Sequence, residues 1–276
     1  MLKEKVYWHD TVKMPSDHEA SQLPQKVDVA VVGGGYTGLS AALTLAKRGV
    51  SVAVLDAETI GWGASSRNGG MVLTGLKIPM QTAIKRYGRD FARRLFQCSL
   101  DSIATVEKLC KEEAIDCGFA RTGHLLAANK PKHYELLAKE AEFMAKEFEH
   151  AVRLVPRGEH RDEIGSDLYH SALVDEVSAG VNPAQYVTGL AGAAEKAGAT
   201  LHARARSTSW NVGRSGFLSK RSADRFKLKT SLWPRTGTPV LPPPGYAARS
   251  CQLGRTSSPP NRCTINWPAS SAHTTG

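Results

Sequence analysis

Near the N-terminus the apolar residues come in short, nearly unbroken runs. Val27 to Val32 (VDVAVV) leads into a glycine cluster, and Val50 to Leu55 (VSVAVL) follows Gly49. Runs of this length predict strands buried on both faces, as in a parallel sheet. Between them Gly38 to Arg48 (GLSAALTLAKR) puts Leu39, Ala42, Leu43 and Ala46 on one helical face, and Gly49 is a stop signal. Strand, glycine turn, helix and strand make a βαβ unit, whose crossover is right-handed by rule.

Further along, the period lengthens to that of helices. Phe96, Leu100, Ile103, Val106 and Cys110 form one amphipathic stripe, and Tyr134, Leu137, Ala141, Met144 and Phe148 form another behind Pro131. Arg121 to Ala127 reads as a strand between them. A further helix is expected from Pro183 to Ala197, then Gly198 and a strand over Thr200 to Ala205. Residues 1–26 read as an irregular lead-in. From about Ser207 periodicity fades into segments such as Pro242-Pro243-Pro244-Gly245, whose composition is that of coil or disorder.

Charge divides the chain at the same place. Residues 1–207 carry 26 Lys/Arg against 25 Asp/Glu, whereas residues 208–276 carry 10 Lys/Arg against Asp224 alone. That last segment also holds 8 of the 14 prolines and 18 Ser/Thr. Its Trp210, Trp233 and Trp267 offer stacking surfaces, but no DNA- or RNA-binding motif accompanies them, so no specific nucleic-acid partner is expected. No apolar run reaches 18 residues and the first ten residues lack an apolar signal core, so the expectation is a cytoplasmic protein. The five cysteines show neither a CxxC pair nor zinc spacing, so no metal site is expected and they read as single thiols.

The candidate chemistry lies in the glycine turn. Gly33-Gly34-Gly35-Tyr36-Thr37-Gly38 follows a strand and opens a helix, and Asp56 ends the next strand. That context turns a weak GxGxxG match into a dinucleotide-binding reading. Gly33 permits the turn, Gly35 lets a pyrophosphate approach the backbone, and Gly38 lets the helix pack on the strand. The helix N-terminus faces the phosphates, and Asp56 is placed for the ribose hydroxyls. The negative charge of Asp56 disfavours a 2′-phosphate. A kinase reading fails despite His160-Arg161-Asp162, because Leu55 stands where the kinase lysine is required and there is no DFG. A second glycine-rich loop runs from Gly61 to Met71 (GWGASSRNGGM), in which Arg67 suits a phosphate or carboxylate.

The stretch from Val27 to Ala57 followed by Gly61 to Gly70 resembles the FAD-dependent D-amino-acid oxidase superfamily, the group with glycine and sarcosine oxidases. Within it, the chain is most similar to gamma-glutamylputrescine oxidoreductase-like members. Ile115 to Phe119 and Gly180 to Pro183 extend the likeness, which covers roughly residues 5–206. The resemblance implies an α/β fold: a Rossmann-like FAD-binding domain (27–78 with 181–206), an inserted, incomplete α+β substrate domain (79–180), and a disordered basic tail (207–276). It implies FAD as cofactor, with Gly33, Gly35, Tyr36, Thr37, Gly38 and Asp56 on the ADP half. Ala64, Ser65, Arg67, Asn68, Gly69, Gly70 and Met71 then line the pyrophosphate, ribityl chain and flavin ring. The implied activity is oxidation of a small amine or amino-acid substrate. The alternatives are an NAD-dependent dehydrogenase and a non-enzymatic binder acting through its tail. No titratable residue stands in a recognisable catalytic constellation. The family's ATNGY-like segment is expected near residues 235–250, where Gly237 to Tyr246 reads GTPVLPPPGY. Either a change of reading frame between about Ala205 and Leu232 or a divergent basic tail accounts for this; with a change of frame, the chain as written is expected to be a poor catalyst or none.

Overall fold

Val29, Ala30 and Val31 are all buried, as are Val52, Ala53, Val54 and Leu55, so both strands of the βαβ unit are covered on two faces. They form β1 (Lys26–Val32) and β2 (Val52–Leu55), paired in parallel with Val32 beside Leu55. The computed structural model describes residues 5–15 and 23–206, together with the backbone of 209–213, 216–220 and 225–232. Helix α1 (Tyr36–Ala46) connects the two strands and buries the expected stripe of Leu39, Ala42, Leu43 and Ala46. Helix α6 (Pro183–Lys196) lies beside it, with Asn182 as N-cap accepting from the amides of Ala184 and Gln185, both at 3.1 Å. Val29, Val31, Val52 and Val54 share one cluster with Leu39, Leu43, Val187 and Leu190. Each of those leucines, at most 2% exposed, contributes about 1.5–3 kcal/mol by burial.

Among the described residues the main sheet has six strands, in the order β8-β2-β1-β11-β10-β9. Strand β8 (Thr200–His202) continues the parallel set beyond β2. On the other side β11 (Arg225–Leu232) runs parallel to β1, and β10 (Gly216–Lys220) and β9 (Ser209–Gly213) follow antiparallel. These three strands correct the reading of everything after Ser207 as coil. The sequence of β11, RFKLKTSL, alternates Phe226, Leu228 and Thr230 with Arg225, Lys227 and Lys229. A two-residue period identifies such a strand, and the basic composition hid it. The rest of that reading, including the disorder expected of 233–276, lies outside the described residues.

A second group of elements lies between β2 and α6 in sequence. Helices α2 (Met80–Tyr87) and α3 (Arg89–Glu112) bury Met80, Ala83, Ala92 and Phe96 together with Met144 of α4 (Lys132–Phe148). The antiparallel sheet β4-β6-β5 comprises His124–Ala128, Ser171–Asp175 and Arg153–Val155. Leu137 of α4 packs against Ala128 and Leu173 of that sheet. A short helix, α5 (His160–Glu163), contains the His-Arg-Asp tripeptide. The chain leaves the first group through β3 (Met71–Val72) and returns through β7 (Ala179–Gly180), and these two strands pair antiparallel.

Candidate functional site

Because β1 and β2 end side by side, the turn after β1 opens at the carboxyl edge of the parallel sheet, where ligands of open α/β sheets bind. Gly33 takes φ 108°, a conformation that favours glycine, and its N–H donates to Leu55 O at 2.8 Å. A Cβ on Gly38 would come within 1.9 Å of the Gly33 carbonyl oxygen, so the helix–strand approach requires glycine there. The first i→i−4 bond of α1 runs from Leu39 N–H to Gly35 O at 2.9 Å. The amides of Thr37 and Gly38 precede it and lie at the positive end of the helix, as an anion site requires.

Asp56 sits against this turn. Its Oδ2 accepts the Gly34 N–H at 2.7 Å and its Oδ1 accepts the Glu58 N–H at 2.9 Å. Each carboxylate oxygen has lone-pair capacity beyond the one amide it accepts. The carboxylate therefore shapes the glycine turn itself, a role the ribose reading alone does not include.

The loop from Gly61 to Met71 folds back on the same turn. Gly61 N–H donates to Gly34 O at 2.9 Å, and Ser65 Oγ accepts the Tyr36 N–H at 3.0 Å. A Cβ on Gly35 would lie 2.7 Å from Ser65 Oγ, so that glycine admits the loop as well as leaving the backbone accessible. Asn68 braces the loop: its Nδ2 donates to Ala64 O at 3.1 Å and Ser65 O at 3.2 Å, and its Oδ1 accepts the Gly70 N–H at 2.8 Å. Gly70, at φ 76°, has the Val181 carbonyl oxygen 2.2 Å from where a Cβ would stand. Arg67 turns onto its own loop, with Nε donating to Trp62 O at 2.6 Å and the guanidinium 4.2 Å from the Trp62 ring centroid. Thr37, Ala64, Arg67, Asn68, Gly69 and Met71 are exposed, whereas Ser65, Gly38 and Gly70 are buried.

Several supporting residues carry no local sequence signal. In the lead-in, a 3₁₀ turn over Tyr7–Asp10 brings Trp8 Nε1 to Asn68 O at 2.8 Å and His9 Nε2 to Ser66 Oγ at 2.8 Å. Burial, with the charges of Arg67 and Lys5, lowers the pKa of His9 against the opposing effect of Asp10. Asn182 Nδ2 donates to Thr11 Oγ1 at 2.7 Å, and Tyr36 OH donates to Pro183 O at 3.1 Å. Burial pushes the Tyr36 phenol up to about 12, so it stays protonated as that donor. Beyond β3, Thr74 Oγ1 donates to Asp175 Oδ2, which also faces His150 Nε2 at 3.2 Å. Burial raises the Asp175 pKa, but hydrogen bonds from His150, Thr74 and the Val177 N–H outweigh it and hold the carboxyl low. The glycine turn, the Gly61–Met71 loop and the start of α6 thus form one connected wall.

Comparison with known proteins agrees with this geometry. A family model described as FAD dependent oxidoreductase (DAO) matches residues 28–262. The gamma-glutamylputrescine oxidoreductase of Escherichia coli is 37% identical over 166 residues, covering 60% of this chain and 39% of that protein. A probable oxidoreductase OrdL of Haemophilus influenzae is 33% identical over 167 residues, with the same two shares of 60% and 39%. Glycine oxidase from Geobacillus kaustophilus superposes with a TM-score of 0.67 at 23% identity, over 76% of this chain and 55% of that one, which shows the shared fold. The chain spans well under half the length of the curated relatives it matches. NAD-dependent dehydrogenation is not favoured by these matches. From the βαβ turn, the loop that closes on it and the match over most of its length, the chain belongs to the FAD dependent oxidoreductase (DAO) family.

Proposed function

We propose that this chain carries the ADP-binding part of an FAD-dependent oxidoreductase acting on a small amine or amino acid, in the cytoplasm. The observation that carries the reading is the closure of the Gly61–Met71 loop onto the N-terminus of α1, which joins the two glycine-rich segments into one surface. The residues fit the cofactor: the amides of Thr37 and Gly38 receive its pyrophosphate, and the open lone pairs of Asp56 receive its ribose hydroxyls. Arg67 supplies positive charge at the rim, while Ser65 and Asn68 hold the loop that Gly69, Gly70 and Met71 continue toward the flavin ring. FAD, when bound, supplies the redox chemistry by accepting a hydride from the carbon next to the amine nitrogen; the protein supplies orientation and electrostatics.

Residues 27–78 with 181–206 make up the cofactor-binding part in this reading, and 79–180 contribute one wall of the substrate site. The chain passes between them at the β3–β7 pair. Small misplacements of a substrate from about 3–3.5 Å of the reacting atom are costly, and Gly237 to Tyr246 departs from the family's A-T-N-G-Y, so in this reading the chain as written binds cofactor but turns over poorly or not at all. The test is to load the purified chain with FAD and measure hydrogen peroxide release with glycine, sarcosine, D-amino acids and putrescine derivatives. Flavin retention with negligible turnover is expected. Rapid turnover overturns the incompleteness, and retention of NAD in place of FAD overturns the cofactor.

A further inference from the structure

Cys110 lies in the last turn of α3 and Cys117 just beyond the turn that follows it. Both thiols are buried in the main core, and their sulfurs stand 3.4 Å apart. The backbone between them is held at several points. Ala114 adopts φ 51°, and Ile115 N–H donates to Cys110 O at 2.9 Å. Ile115 then seats against Gly189 of α6, where its Cγ2 would be 2.2 Å from any Cβ. On the far side, Cys117 O accepts the N–H of Asn182 at 2.7 Å. Two thiols fixed this close across a short turn need to approach only to about 2.05 Å to bond. The third described cysteine, Cys98, is exposed on α3 and shares no such contact.

We propose that Cys110 and Cys117 are a disulfide-forming pair, oxidised by hydrogen peroxide to an intramolecular bond that ties the end of α3 to the segment holding Asn182. One sulfur attacks a peroxide oxygen; the O–O bond breaks, a sulfenic acid forms, and the departing hydroxide takes the thiol proton as water. The second sulfur then displaces the sulfenic hydroxyl, which leaves as a second water with the remaining thiol proton. Two thiols lose two electrons and two protons, and one peroxide becomes two waters. The oxidant is hydrogen peroxide from solution, and the step does not depend on turnover by this chain. Burial, reinforced by the neighbouring sulfur, pushes the Cys110 thiol up to about 12, and burial raises Cys117 as well. The pair is therefore mostly protonated at neutral pH and reacts more slowly than a surface thiol. Because Asn182 caps α6 and contacts Thr11, the bond stiffens the wall behind Tyr36.

The test uses the full chain with Cys98, Cys251 and Cys263 replaced by serine. Native protein is treated with hydrogen peroxide, denatured in an alkylating agent, digested and read by mass spectrometry. The expected product is a Cys110–Cys117 linked peptide that dithiothreitol reverses, with a thermal midpoint raised by a few degrees. Cys117→Ser, checked for folding by circular dichroism, removes both effects. Recovery of both cysteines as free thiols overturns the proposal, as does an intermolecular disulfide. Flavin retention is read separately from the absorption spectrum, so loss of the cofactor reading leaves the thiol result standing.

Discussion

Ser65 Oγ accepts the backbone N–H of Tyr36 at 3.0 Å, so a loop residue occupies the first amide of the helix proposed to receive the cofactor. Gly35 makes this possible, since any Cβ there would stand 2.7 Å from the same oxygen. Gly35→Val is expected to push the loop away and to block the pyrophosphate path, abolishing FAD binding. Equilibrium dialysis of the folded variant against FAD checks this, and unchanged flavin content contradicts the assignment of the turn.

Two glycine-to-alanine substitutions are expected to act in opposite directions. Gly38→Ala drives a methyl into the Gly33 carbonyl and is expected to cost about 1–3 kcal/mol or more. Gly192, within α6, has nothing within 4 Å of a Cβ and an ordinary helical backbone. Gly192→Ala is expected to stabilise by roughly 0.4–1 kcal/mol through helix propensity and reduced unfolded-state entropy. Urea unfolding of the two variants measures both, and equal effects contradict the packing described.

The depressed pKa of His9 sets a pH dependence. Its Nε2 contacts Ser66 Oγ, which itself donates to Gly61 O at 2.6 Å, so the neutral ring with a proton on Nε2 fits as donor. Protonation is opposed by burial and by Arg67 and Lys5. The unfolded chain therefore binds this proton first as pH falls from about 6.5, and stability declines below that value. Thermal midpoints at about pH 7.5 and about pH 5.5 are expected to differ less in His9→Gln than in the parent. An unchanged difference removes His9 from the account.

What the sequence revealed follows from how local each signal is. The βαβ unit was legible because its strands are buried on both faces and Leu39, Ala42, Leu43 and Ala46 keep a helical period. The α3 and α4 stripes were legible for the same reason. Strand β6, SALVD, is too short and too mixed to declare itself, although Ser171 to Val174 are all buried between β4 and β5. Trp8, His9 and Asn182 reach the site through contacts that span tens to over a hundred residues of sequence, and no spacing rule finds them. The alternation in β11 was present but lay beneath a basic composition, and its pairing partner β1 is about two hundred residues away.

The segment after Leu232 yields a prediction at the level of the gene. Trp233 is encoded only by TGG and Pro234 by CC with any third base. Read from the last base of the Trp233 codon, these give GCC, which is alanine. The following junctions, through Arg235, Thr236, Gly237 and Thr238, permit threonine, asparagine, glycine and tyrosine in that order. The codons one frame away, beginning at Trp233, are thus compatible with the family's expected A-T-N-G-Y. Sequencing the gene is expected to show that frame open and continuing, with the frame change upstream between about Ala205 and Leu232. Codons incompatible with A-T-N-G-Y, or an early stop in that frame, refute it.

The central claim is that this chain holds the ADP half of FAD at the Gly33–Gly38 turn. Its most direct measurement is a competition titration, in which the chain is saturated with FAD and then titrated with ADP or with FMN while bound flavin is followed by fluorescence. The account predicts that ADP displaces FAD, that FMN does not, and that Gly35→Val binds neither FAD nor ADP. Displacement by FMN but not ADP, or ADP binding that survives Gly35→Val, would contradict it.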